Sequence, residues 1–150
     1  MSKSTSLARI TLVVSSSSSN VHSLAELFPD IVVNQWKTGE PTEIENRNHT
    51  YHLVRLLIGD GNYSAALRDT KAWLSRNGSE VSQFAQQHEA AGIDISIPFQ
   101  IENEHGSTVL WRGRSIRVPF SLVKLCHDNG LEISFDVQYD RNGQWPISAG

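Results

Sequence analysis

Two stretches of the chain alternate apolar and polar residues without a fault. In the first, Ile93, Ile95, Ile97, Phe99 and Ile101 are separated by Asp94, Ser96, Pro98 and Gln100; in the second, Leu131, Ile133, Phe135, Val137 and Tyr139 are separated by Glu132, Ser134, Asp136 and Gln138. Successive side chains of a β-strand point to opposite faces, so each run places its apolar residues on one side and its polar residues on the other. Both read as strands packed on one face and wet on the other. A chain with two such strands is committed to a half-exposed sheet.

The remaining segments supply what packs on that sheet. Residues 8–14 read as a first strand and Ser15–Ser19 as a turn with helix-capping chemistry; Val21, Leu24, Ala25 and Phe28 then fall on one stripe of a short helix that Pro29 stops. Ile31–Trp36 follows as a second strand. The connection 37–50 is almost wholly polar and longer than most, a length at which loops are often functional or mobile. Tyr51–Ile58 fits a strand better than a helix because the turn signal of Gly59, Asp60, Gly61 and Asn62 follows so soon.

Two helices are predicted next, broken at Asn77 and Gly78: Tyr63–Arg76, and one capped by Ser79 with Val81, Phe84, Ala85 and His88 on one side, Gly92 ending the pair. After the first alternating strand, Asn103–Gly106 reads as a hairpin turn, with strands over 108–111 and 115–118 about Arg112, Gly113 and Arg114. A helix then starts with Phe120 packing on Leu125 across a Ser121 cap, and Gly130 sits where a left-handed residue ends it. The pattern predicts one α+β domain over 1–150: a mainly antiparallel sheet, helices packed on one face, two similar strand-helix-strand halves, and a loosely held tail at 141–150.

Composition narrows the function classes. At 150 residues, with 39% hydrophobic and 19% charged residues, the chain is an ordinary globular domain. No apolar run approaches the roughly 18 residues of a membrane span. Arg9 and Thr11 interrupt the early apolar segment, which therefore reads as a strand and not as a secretion signal. A single cysteine, Cys126, fits a reducing compartment and a cytoplasmic protein. The formal net charge of -3 gives no general attraction to nucleic acid or anionic membrane and slightly favours a basic partner.

Each constellation with catalytic residue types weakens when geometry is imposed. Glu43, Glu45, His49 and His52 resemble a loose metal-ligand cluster, but on a strand a separation of three puts the two histidines on opposite faces. Cys126, His127 and Asp128 are neighbours on a helix and point about 100° apart, so they do not line up as nucleophile, base and orienter. Cys126 shares the apolar stripe of Leu122 and Leu125 and reads as a buried thiol. The serine run lacks the glycine-flanked elbow of a hydrolase. Trp111, Arg112, Arg114 and Arg117 form the one basic-aromatic cluster, which reads as a solvated hairpin edge or as a grip on nucleic acid. No cofactor motif or metal site is assembled, and no catalytic residue is assigned.

The polar faces of the alternating strands remain. Asp94, Ser96, Gln100 and Glu102 on one, with Glu132, Ser134, Asp136, Gln138 and Asp140 on the other, make an acidic plate if the strands are near neighbours, and such a plate steers a basic protein toward it.

At Trp36, Lys37, Thr38, Gly39, Glu40 and Pro41, and again from Phe120 to Lys124 and through Asn129, Gly130 and Leu131 to Asp136 and Tyr139, the chain resembles a bacterial domain family of unknown function. Its small α+β members share an early G-x-P loop and a late helix, glycine and alternating strand ending in Asp-x-x-Tyr. The likeness spans about 7–140 and departs where a tryptophan is expected and Tyr51, His52 and Leu53 stand. Members look like immunity proteins, cytoplasmic inhibitors of bacterial toxins. The resemblance implies a non-enzymatic protein that neutralises a cognate toxin, a nuclease being one basic target that an acidic inhibitor would suit. It carries over no catalytic residues. Asp94, Glu102, Glu132, Asp136, Asp140 and Trp111 are the expected partner-binding residues. The alternative is a small metal- or ligand-binding domain or enzyme using the polar 37–52 loop.

Overall fold

The structure, a computed structural model, describes residues 7–100, 102–104, 108–110 and 117–140. Strand β1 spans Leu7–Ser16. A short helix α1, Ser23–Leu27, lies between two 3-10 turns, Ser19–His22 and Pro29–Ile31, and leads into β2, Val32–Trp36. Strand β3, His52–Asn62, runs into helix α2, Tyr63–Gln87, and then β4, Ala90–Gln100. A small hairpin of β5, Glu102–Glu104, and β6, Thr108–Leu110, precedes helix α3, Phe120–Asp128, and β7, Glu132–Asp140.

The strands other than those of the hairpin form one sheet in the order β2-β3-β1-β4-β7. Its first three pairings are antiparallel and the last, β4 with β7, is parallel. The mixture follows from connectivity: a parallel neighbour is reached by a crossover, and the chain between β4 and β7 carries α3. β4 and β7 are direct neighbours, whereas β1 and β2 have β3 inserted between them.

One core holds the fold. Ala8, Ile10, Leu12 and Val14 of β1, Val54, Leu56 and Ile58 of β3, and Ile93 and Ile95 of β4 are buried together with Val21, Leu24 and Ala25 around α1, Ala66, Leu67, Trp73, Leu74 and Val81 of α2, and Leu122 and Cys126 of α3. The helices thus share one face, as the hydrophobic pattern predicts.

Three local expectations are corrected. Gly59–Asn62 is not a turn: β3 continues through it, a bulge opposite Ile10 and Thr11 adds a residue, and Asn62 caps α2 by accepting from the Ala65 amide at 2.8 Å. Gly59 is needed because the helix comes so close. A Cβ there would run into Thr70 Oγ1 and the Ala66 carbonyl.

The predicted helical pair is one continuous helix. The buried stripe of Trp73 and Leu74 carries on to Val81 past Asn77 and Gly78, and tertiary burial outweighs the roughly 1 kcal/mol that a mid-helix glycine costs. Gly78 also lets α3's end approach, since a Cβ there would lie 3.0 Å from Asn129 Oδ1.

Ser121 does not cap α3. Pro119 holds the N-cap position without a side-chain bond, Ser121 lies in the first turn, and Phe120 is 78% exposed rather than stapled onto Leu125. The C-terminal expectation is met in full: Gly130 has φ of 71°, its N–H donates to His127 O, and Leu131 N–H donates to Cys126 O at 2.8 Å. Of the strands predicted over 108–111 and 115–118, the first is present as β6, but its partner is β5, which takes up Asn103 and Glu104 of the predicted turn; Arg117 and Val118 are not in a strand, and 111–116, with the basic turn, lie outside the described residues.

Candidate functional site

Because side chains alternate, every second residue of the sheet faces away from the helices. By register these are Asn34 and Trp36 on β2, Leu53, Arg55 and Leu57 on β3, Arg9, Thr11 and Val13 on β1, Gly92, Asp94 and Ser96 on β4, and Glu132, Ser134 and Asp136 on β7. No described helix packs on this side. Here the polar faces of the two alternating strands become a single surface, since β4 and β7 pair directly and Asp94 lies opposite Ser134, Gly92 opposite Glu132, and Ser96 opposite Asp136.

Asp94 is its centre. The Ser134 hydroxyl lies 3.3 Å from Asp94 Oδ1 and 3.4 Å from the Ile93 carbonyl, and donates toward both. Burial pushes the Asp94 carboxyl above the ordinary carboxylate range and the charge of Asp136 adds to this, while Arg55 and the Ser134 bond oppose it. Glu132 and Asp136 are exposed.

The surface is less uniform than the sequence suggests. Arg9 and Arg55 bring cations to it, with Arg9 Nε 3.8 Å from Asp60. Thr11 and Leu53 on this side are buried, so it is not simply wet. It is a mixed-charge plate, acidic at β4–β7 and basic toward β3.

Part of the cover comes from the long connection. Residues 37–50 fold back as a hairpin, with Gly39 N–H donating to His49 O and His49 N–H to Glu40 O, both at 2.8 Å, and Thr42 N–H to Arg47 O at 2.9 Å. This sets the His49 ring flat on Trp36, with centroids 4.2 Å apart. Trp36 in turn lies opposite Leu53.

The predicted partner-binding residues are therefore placed unevenly. Asp94, Glu132 and Asp136 come together, Asp140 closes β7 opposite Gln100, and Glu102 belongs to the separate β5–β6 hairpin. Trp111, Arg112 and Arg114 lie outside the described residues; the Arg117 carbonyl accepts from the Tyr63 hydroxyl at 2.7 Å.

The polar-loop residues are not brought together. Glu43 and Glu45 are exposed on the hairpin, His49 stacks on Trp36, and His52 meets His22 instead, Nδ1 to Nε2 at 3.1 Å, with His22 Nδ1 2.9 Å from Gln35 Oε1. Among the described residues no three His, Cys, Asp or Glu side chains are grouped to hold a metal. Cys126 is buried and its thiol is pushed up to about 11 by that burial, while Asp128 pairs with Lys124 at 2.9 Å.

One association has no warning in the sequence. Ser16 Oγ lies 2.9 Å from His88 Nδ1, both side chains are buried, and Ser16 also accepts from Ser18 N–H at 3.0 Å. Glu89 accepts from Ser17 N–H at 3.0 Å and from its hydroxyl at 2.6 Å, bonds that hold its carboxyl down at about 2. The serine run is thus a clasp between the end of β1 and the start of β4.

No described helix is long and apolar enough to cross a membrane. The chain matches no known family model, no curated protein and no solved structure.

Proposed function

We propose that this protein is a non-enzymatic inhibitor of the bacterial cytoplasm, an immunity protein that binds and neutralises a cognate protein toxin through the helix-free face of its sheet. The observation that carries the reading is the convergence of Asp94, Glu132 and Asp136 on that face. A basic surface approaching β4 and β7 meets three carboxylates on a rigid strand pair, an arrangement that steers association and fixes orientation. The likeness of the Gly130–Tyr139 segment to immunity proteins points the same way. A nuclease, whose substrate-binding surface is basic, is the class of toxin such a face suits best.

The experiment starts at the gene. A large secreted protein with a variable C-terminal domain, encoded immediately upstream, is the expected toxin. Expressed alone, that domain should arrest growth; co-expression of this protein should restore it, and the Glu132→Lys, Asp136→Lys double variant should not. A neighbourhood without such a gene, or arrest that persists in the presence of the unaltered protein, would overturn the reading. Rescue by the double variant would remove the acidic face from it.

A further inference from the structure

At the β2–β3 side of the helix-free face, three neighbouring side chains hold polar atoms that are shut off from solvent and, among the described residues, have no hydrogen-bond partner. They are both amide atoms of Asn34, the indole Nε1 of Trp36 and Nε of Arg55. Register places them together: Asn34 lies opposite Arg55, and Trp36 is two residues further along the same side of β2. A buried donor left unbonded loses its hydration with nothing in return, and roughly nine in ten such groups in folded proteins are satisfied. Three on one patch mark a place built to be completed by something else.

The donor set identifies the complement. A guanidinium, an indole N–H and a carboxamide supply N–H groups well in excess of the single acceptor, Asn34 Oδ1, and one of the donors carries a full positive charge. Among the described residues Arg55 has no carboxylate within ion-pair distance, so Asp94 feels its charge without pairing with it. A planar anion whose two oxygens accept side by side fits the guanidinium fork, and the indole and amide N–H groups flank it.

We infer that Arg55, Asn34 and Trp36 form a subsite for the carboxylate of an Asp or Glu side chain presented by the partner protein. The source of the carboxylate rests on the proposed function; the subsite itself does not. His49 covers Trp36, so entry involves a shift of the 37–50 hairpin, whose backbone hydrogen bonds run within itself. The partner surface is then bipolar, basic where it meets Asp94, Glu132 and Asp136 and acidic where it meets Arg55. A uniformly basic protein would be repelled at that second point, which gives the face selectivity as well as attraction.

Proton–nitrogen correlation spectra test this without the partner. The Trp36 indole N–H, assigned by its loss in Trp36→Phe, and the Arg55 Nε–H report on the subsite. Sodium acetate should shift both saturably beyond sodium chloride at equal ionic strength. Arg55→Met should abolish the shift of the indole, and Arg55→Lys, which keeps the charge but not the fork, should weaken binding by about tenfold or more. If Arg55→Met does not fold, Arg55→Lys alone decides. Acetate acting no differently from chloride, or an unchanged titration in the Arg55 variants, would overturn the subsite. A response to phosphate with none to acetate would overturn its assignment to carboxylate. Growth rescue by the unaltered protein is independent of all three results, so the subsite and the inhibitor reading fail separately.

Discussion

The two faces of the sheet are made by the same strands and have opposite characters. On the covered face Ile10, Leu12, Leu56, Ile93 and Ile95 are fully buried against α1, α2 and α3, and apolar contact is continuous from β3 to α3. On the other, Arg9, Arg55, Asp94, Glu132 and Asp136 share the surface, and Asn34, Trp36 and Arg55 keep buried atoms without partners. One face is optimised for packing and the other tolerates charge burial that a purely structural surface would avoid. That division says where stability resides and where chemistry does.

The strongest way to break the division is to attack the covered face. Leu74 of α2 is fully buried, and Leu74→Ala should cost about 2–5 kcal/mol of stability, read as a fall in the midpoint of denaturant unfolding. Gly59→Ala is the next largest. Its added methyl has nowhere to go against the Ala66 carbonyl and Thr70 Oγ1, and the required shift of α2 from β3 should cost about 1–3 kcal/mol. A loss below about half a kcal/mol for either would show that helix and sheet are less tightly fitted than this packing requires.

The covered face was the more legible of the two in the sequence. Period-two alternation at Ile93–Ile101 and Leu131–Tyr139 locates β4 and β7, the stripe of Val21, Leu24, Ala25 and Phe28 locates α1, and Gly130 marks the end of α3. Local pattern and structure part where long-range contact overrides local chemistry. Gly59, Gly61 and Asn62 carry turn residues, yet the glycine at 59 serves a close approach by α2 that no local pattern announces. Asn77 and Gly78 look like a helix break, but Asn77 bonds back to the Trp73 carbonyl at 3.0 Å and the helix continues.

On the open face Asp94, Glu132 and Asp136 were readable from alternation alone, given the adjacency of β4 and β7. Arg55 is a lone arginine inside the apolar run from Leu53 to Ile58, and no motif of the sequence gives it a role. Its neighbours Asn34 and Trp36 become visible only with the β2–β3 register. The pairing of His22 with His52, 30 residues apart, and of Ser16 with His88, 72 apart, depends on tertiary folding and leaves no local trace.

Charge reversal on the open face should leave the fold nearly untouched. Glu132 and Asp136 are exposed, so Glu132→Lys and Asp136→Lys should each change stability by no more than about half a kcal/mol. Thermal unfolding of the variants against the unaltered protein checks this. A larger loss would mean that the acidic residues serve the sheet itself and would weaken their assignment to a partner.

Asp94 gives the smallest effect and the one of opposite sign. Its carboxyl is raised in the fold chiefly by burial, so the folded protein holds that proton more tightly than the unfolded chain does. Stability contributed by the protonated form is present below the unfolded value and declines as pH rises through the folded one, leaving the ionised group a net burden at neutral pH. Asp94→Asn removes that burden while retaining an acceptor for the Ser134 hydroxyl, and should be modestly more stable than the unaltered protein at neutral pH. The advantage should vanish below the ordinary carboxylate range, where Asp94 itself is uncharged. Denaturant midpoints measured at neutral and acidic pH decide the matter; a variant less stable at neutral pH would mean that Arg55 outweighs burial and that Asp94 belongs to the structural side of the comparison. The expected result places a carboxylate at the centre of the open face against the interest of stability, which is where a binding surface, unlike a packing surface, keeps its charge.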